Sequence, residues 1–148
     1  MIITVTTNPS IDRTISMEKL VLGGVNRGEI DSIDPAGKGV NVSRALAKYG
    51  AKTHAILVCG ELGSQWFSKK LNYLQIPHHV LKAEGITRSN ITIQESNGTT
   101  TKVNEPGFEL TKETLHQVLE VLDGLKLKDS WVVLAGRLNP GADINTYR

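Results

Sequence analysis

The chain predicts an α/β fold, a mostly parallel sheet flanked by helices, and three observations carry that expectation. Short apolar runs alternate with amphipathic stretches along the sequence, the pattern of strands joined by helical crossovers. A glycine-rich loop, Ala36-Gly37-Lys38-Gly39-Val40-Asn41-Val42-Ser43, leads straight into one of those amphipathic stretches. Length and composition agree, since 148 residues with 39% hydrophobic and 22% charged side chains fit one globular domain or part of one.

Taken in order, Ile2 to Thr6 is an apolar run and the first strand. Asp12 to Asp34 is polar and lacks a helical period, and Ile15, Val21, Leu22 and Ile30 are spaced as in short strands. After the glycine loop, Val42, Ala45, Leu46 and Tyr49 recur at helical spacing, which predicts one buried stripe with Arg44 and Lys48 off it and Gly50 as the stop. Thr53 to Cys59 is the next strand, and a second helix starts near Gly63 and ends before Pro77. Asn97-Gly98, between Ile91-Thr92-Ile93-Gln94 and Thr99-Thr100-Thr101-Lys102-Val103, predicts a hairpin with a type I′ turn. A third helix opens at a Thr111 N-cap, with Leu110 and Leu115 as a hydrophobic staple. Its stripe is Leu115, Val118, Leu119 and Leu122, ended by Gly124. Trp131 to Ala135 is the last strand, and Pro140 to Arg148 reads as a turn followed by the start of a helix capped by Asp143. No internal repeat or low-complexity linker interrupts the chain.

Several function classes fall away. The net charge of +2 is dispersed, with Lys69-Lys70 the only adjacent basic pair, so there is no electrostatic footprint for nucleic acid. No apolar run approaches membrane-spanning length and no basic segment precedes an apolar one at the N-terminus, so a cytoplasmic location without a membrane partner is expected. Cys59 is the single cysteine, which excludes an internal disulfide and reads as a small core residue. His54, His78, His79 and His116 lack the helical spacings of metal ligands, so no metal site is expected.

The glycine loop reads as a site for an anionic or polyhydroxylated ligand. Glycines let the backbone approach closely, the helix that follows offers unpaired N–H groups at its positive end, and Lys38 adds a charge. It is not a Walker A loop, because Lys38 is followed by Gly39 and an earlier required glycine is Ser32. A dinucleotide fingerprint starting at Gly37 fails at Val42.

Ala36 through Gly60, with Gly50 and Gly60 at their later offsets, resembles the first signature of the ribokinase, or phosphofructokinase B, family of sugar kinases at every defined position. Asn8-Pro9-Ser10-Ile11-Asp12, Gly24-Val25-Asn26-Arg27 and Thr87-Arg88-Ser89-Asn90 stand in that family's order. The family's second motif, a C-terminal Gly-Ala-Gly-Asp whose Asp is the catalytic base, does not occur. The resemblance therefore implies a truncated, N-terminal, acceptor-binding part of one ribokinase-like domain over 1–148, with no catalytic residue in this chain.

The same resemblance implies a site. Asp12 accepts hydrogen bonds from sugar hydroxyls, its plain alternative being a turn aspartate after Asn8-Pro9. Gly37, Lys38, Gly39 and Asn41 line the floor, the alternative being an ordinary helix N-terminus. Arg27 and Arg88 contact the phosphate already on the sugar, and Asn90 on a lid strand reads the sugar or faces water; lone arginines are more often solvated surface. Segments of about 12–34 and 88–105 form a small β lid, through which two subunits pair as a homodimer. The acceptor is a sugar phosphate, fructose 1-phosphate or tagatose 6-phosphate, and the full-length enzyme uses ATP and Mg²⁺, neither held by residues identifiable here. The chain alone is expected to be inactive, the non-enzymatic alternative being a sugar-phosphate-binding module. One departure stands out: Leu134-Ala135-Gly136-Arg137-Leu138-Asn139-Pro140-Gly141 has Ala135 and Arg137 where the family usually has serines.

Overall fold

The computed structural model describes residues 1–125 and 127–147. Among them the strands are β1 (Ile2–Thr6), β2 (Ser10–Met17), β3 (Glu29–Ala36), β4 (Thr53–Gly60), β5 (His78–Ala83), β6 (Arg88–Glu95), β7 (Thr100–Asn104) and β8 (Trp131–Leu134). The helices are α1 (Lys38–Lys48), α2 (Glu61–Tyr73) and α3 (Lys112–Gly124).

Two four-stranded sheets result. The first runs β5-β4-β1-β8 with every neighbouring pair parallel. Both faces are covered over β1 and β4, as a parallel sheet requires, while the edge strand β8 is largely exposed. Ile3, Val5, Ile56 and Val58 pack with Val118 of α3 on one face. Val40 of α1 and Phe67 and Leu71 of α2 pack with Ala55, Leu57 and Cys59 on the other. The alternating side-chain direction of β1 and β4 sorts the two cores. The second sheet runs β3-β2-β6-β7, antiparallel except for the parallel β2–β6 pair at its centre.

The strand expectations hold for β1, β4 and β8, and Thr111 caps α3, its Oγ1 accepting the Thr114 N–H at 3.1 Å. Three local expectations are corrected. The buried face of α1 is Gly39, Val40 and Ser43, with Ala47 packed beside it, while Tyr49 is 84% exposed. Glycine and a hydrogen-bonded serine bury this face: a Cβ on Gly39 would collide with Thr6 Oγ1 and lie 3.0 Å from the Val5 carbonyl. Ser43 Oγ bridges Thr4 Oγ1 at 2.8 Å and Thr53 Oγ1 at 2.9 Å. The α3 stripe is likewise rotated, with Thr114 and Val118 buried, Val121 and Leu122 packed alongside, and Leu119 51% exposed.

The third correction is the hairpin turn. Only Gly98 has positive φ (+88°), Asn97 does not, and the Gly98 N–H bonds to the Glu95 carbonyl at 2.9 Å. A type I′ turn needs positive φ at both central residues, so this is instead a longer loop that ends on a left-handed glycine, with Asn97 Oδ1 accepting the Thr99 N–H at 2.8 Å. Asp143 caps a turn, accepting the Asn145 N–H at 2.7 Å. Cys59 is buried, and burial pushes its thiol up to about 12. His54 and His79, far apart in sequence, meet with Nε2 and Nδ1 2.7 Å apart.

Candidate functional site

In an open parallel sheet, ligands bind outside the carboxyl ends of the strands. At the carboxyl end of β1 the glycine loop, which follows β3, packs against Thr6 and Pro9, and the carboxyl end of β8 carries the Arg137 turn. Gly37 is left-handed (φ +121°), and a Cβ there would lie 2.8 Å from Thr6 Cγ2 and 3.1 Å from Pro9 Cα, so only glycine fits between β3 and α1. As the N-cap it offers no side chain to α1, whose first N–H groups keep their capacity for a ligand. The turn after β8 closes on the same point, because a Cβ on Gly136 would lie 3.7 Å from Lys38 Cβ.

A polar cluster on the second sheet borders this loop. Parallel pairing of β2 with β6 sets Ser10 opposite Arg88 and Asp12 opposite Asn90. Asp12 Oδ1 accepts from Ser10 Oγ at 2.8 Å and from Asn90 Nδ2 at 2.9 Å. Asn90 Oδ1 in turn accepts from Arg88 Nη1 at 2.9 Å, and Arg88 Nε donates to the Asn8 carbonyl at 3.3 Å. Among the described residues Asp12 Oδ2 has no partner, so half of the carboxylate is held in place and half is open to a donor such as a sugar hydroxyl. Arg88 is 9% exposed. Burial, with the like charge of Arg137 second, lowers its pKa from the ordinary arginine value, against an opposing pull from Asp12.

Of the residues singled out in the sequence, the structure brings Asp12, Arg88 and Asn90 into this one network, and Gly37, Lys38 and Gly39 sit at the mouth of the same loop. Asn41 is exposed and lines a groove of about 640 Å³ between α1 and the end of α2, with Arg44, Lys48 and Leu74. Arg27 is not brought to the cluster. It lines a separate 470 Å³ pocket with Ser16, Glu18, Glu29 and Glu95 at the other end of β2. Four residues of strand separate Ser16 from Asp12, about 13 Å.

Sequence reasoning passed over Asn8, whose side chain is 2% exposed and ties the site together. Its Nδ2 donates to the Pro106 carbonyl at 3.0 Å and the Leu138 carbonyl at 3.3 Å, fixing the β7–α3 connection and the turn after β8. Its place before Pro9 was the available signal, since an Asn-Pro pair marks a built turn. Asn139, 4% exposed, repeats the device by donating to the Phe108 carbonyl at 3.1 Å.

Residues 5–142 match the pfkB family carbohydrate kinase model, and the chain is a member of that family. Among curated relatives, 1-phosphofructokinase of Xanthomonas campestris is 36% identical over 140 residues, covering 94% of this chain and 44% of that protein. The 1-phosphofructokinase of Bacillus subtilis is 32% identical over 147 residues, covering 99% and 48%. Among solved structures, phosphofructokinase-2 from Escherichia coli in complex with fructose-6-phosphate superposes with a TM-score of 0.89 at 25% identity, covering 98% of this chain and 48% of that one. A possible 1-phosphofructokinase from Thermotoga maritima gives 0.82 at 31% identity, covering 96% and 46%. The chain thus spans somewhat under half the length of the relatives it matches. The expected α/β architecture, a mostly parallel sheet flanked by helices, is the architecture of these kinases. Among the described residues no helix is long and apolar enough to cross a membrane.

Proposed function

We propose that this chain is the acceptor-binding part of an ATP-dependent sugar-phosphate kinase that converts fructose 1-phosphate and ATP to fructose 1,6-bisphosphate and ADP in the cytoplasm. The observation that carries the reading is the Asp12–Asn90–Arg88 network beside Gly37 and Lys38, one half-open carboxylate next to a buried guanidinium. The relatives named 1-phosphofructokinase support the choice of sugar.

In this reading Asp12 Oδ2 takes a sugar hydroxyl, and the Gly37–Gly39 backbone and the Asn41 amide line the floor. Lys38 and Arg88 supply positive charge to the acceptor phosphate. Arg27, which lines a separate pocket with Ser16 and Glu29, is assigned to the acceptor phosphate by resemblance to the family alone. The second sheet serves as a lid over the sugar and as the homodimer contact; its β2–β3 connection presents Leu22 (90% exposed) and Val25 (84%), and β3 presents Ile30 (60%). ATP supplies the phosphoryl group, and Mg²⁺ accompanies the nucleotide. Among the described residues no group of three or more His, Cys, Asp or Glu fits a metal ion, so no step is assigned to one through these side chains. The catalytic base is assigned outside this chain, which by itself does not turn over.

The test is calorimetric titration of the 148-residue chain with fructose 1-phosphate and with tagatose 6-phosphate, the acceptor of the runner-up kinase, alongside an assay for ADP release. The expected result is tighter binding of fructose 1-phosphate and no ADP. Asp12→Asn keeps the Oδ1 acceptor but loses the charge, and weakens binding about tenfold or more. Turnover by the pure chain, preference for tagatose 6-phosphate, or an indifferent Asp12→Asn each contradict the corresponding part of the proposal.

A further inference from the structure

The turn after β8 carries a charge that the polar network does not require. Gly136 abuts Lys38, and Arg137 follows on a backbone held before it by the Ala135 N–H on the Val5 carbonyl at 3.5 Å, and after it by Asn8 on the Leu138 carbonyl and by Asn139 on the Phe108 carbonyl. Asn8 also takes Arg88 Nε on its own carbonyl, so one residue anchors the chain beside both arginines. Among the described residues none of Arg137, Lys38 and Arg88 is in an ion pair. Arg137 lies near enough to Arg88 for its like charge to depress the Arg88 pKa. Lys38, Arg137 and Arg88 thus flank one turn, and Asp12 is the carboxylate whose charge reaches Arg88.

A neutral sugar gives such an arrangement no compensation, because hydroxyls are matched by amides and one carboxylate. An exposed arginine on a free loop would turn from a like charge into water, but here the backbone on either side is held. A phosphate monoester offers two negative charges and three terminal oxygens, enough for two guanidinium groups at once.

We infer that Arg137 is a specificity-determining residue, which joins Arg88 in a two-arginine clamp on the acceptor's phosphate and selects phosphorylated over unphosphorylated sugar. The inference rests on the reading of this site as a sugar-phosphate site. It adds a second contact, from a segment in which the sequence departs from its family's usual serine. Arg137 contributes through charge-assisted hydrogen bonds that exist only with the anion bound.

Ligand-observed NMR titrations of wild type, Arg137→Ser and Arg137→Lys with fructose 1-phosphate and with fructose separate the outcomes, with circular dichroism confirming the fold of each variant. Arg137 is exposed, so both substitutions leave the core untouched. Arg137→Ser is expected to weaken fructose 1-phosphate about tenfold or more while fructose changes less than about twofold, with Arg137→Lys between, since lysine keeps the charge and loses the fork. Wild-type affinity for fructose 1-phosphate in Arg137→Ser, or an equal loss for both sugars, overturns the clamp and leaves the sugar-phosphate site standing. A folded wild-type chain that binds no fructose 1-phosphate overturns the site reading, and the clamp with it.

Discussion

Replacing Gly39 by alanine tests whether the glycine loop is held by contact with β1 or merely by helix geometry. Gly39 is the second residue of α1, without positive φ, so alanine meets no backbone strain and gains about 1 kcal/mol of helix propensity. Against that, its Cβ would collide with Thr6 Oγ1 and approach the Val5 carbonyl to 3.0 Å and Thr4 Cβ to 3.4 Å. These neighbours belong to the central strand of a parallel sheet and cannot swing aside, which puts the overpacking near the top of the usual range of about 1–3 kcal/mol. The expected net loss is about 1–2 kcal/mol, a fall in melting temperature of roughly 3–8 °C for a chain of this size. Gly124, at the end of α3, has nothing within 4 Å of where a Cβ would stand and no positive φ, so Gly124→Ala keeps only the propensity gain and raises stability by up to about 1 kcal/mol. Urea unfolding of both variants reads the two signs. If Gly39→Ala is as stable as wild type while Gly124→Ala is stabilised, the close contact of α1 on β1 is not what holds the loop.

Two further outcomes concern titratable groups. The pKa of His54 is lowered by burial and by the neighbouring His79 and His78, so the unfolded chain takes up a proton more readily than the native one. Stability is therefore full above the ordinary histidine value of about 6.5 and falls as pH drops below it. Unfolding midpoints from pH 8 to 5.5 should decline in wild type and decline less in His54→Gln, and parallel curves would contradict this account. Cys59, buried with its thiol pushed up to about 12, should resist a thiol reagent in the native state and label fully in denaturant; rapid native labelling would mean that the α1–α2 face opens readily.

What the sequence disclosed follows from which interactions are local. The strands β1, β4 and β8 are apolar runs, and the Thr111 cap spans three residues, so neither depends on distant chain. The face of α1 differs from the apolar stripe because its burial rests on a glycine, whose missing side chain lets the helix press against β1, and on Ser43, whose hydroxyl is satisfied by two threonines. Hydrophobic period detects neither. The residues of the site could be picked out by their resemblance to a family signature, but not their arrangement. Asp12 and Asn90 are 78 positions apart and meet only because β2 and β6 pair in parallel. Likewise, nothing local marks Arg88 as a buried arginine.

The order β5-β4-β1-β8 places β1 in the interior of its sheet. One edge of Ile2–Thr6 is taken by β4, but the other is taken by Trp131–Leu134, some 125 residues later. At a synthesis rate of about 5–20 residues per second, that edge stays unpaired for roughly 6–25 s after β1 is made. Throughout that interval a nascent chain carries an apolar strand with free backbone donors and acceptors, the arrangement most prone to pair with a neighbour. The same late strand brings the Arg137 turn, so closure of the exposed edge and delivery of that cation to the site are a single event in the life of the chain.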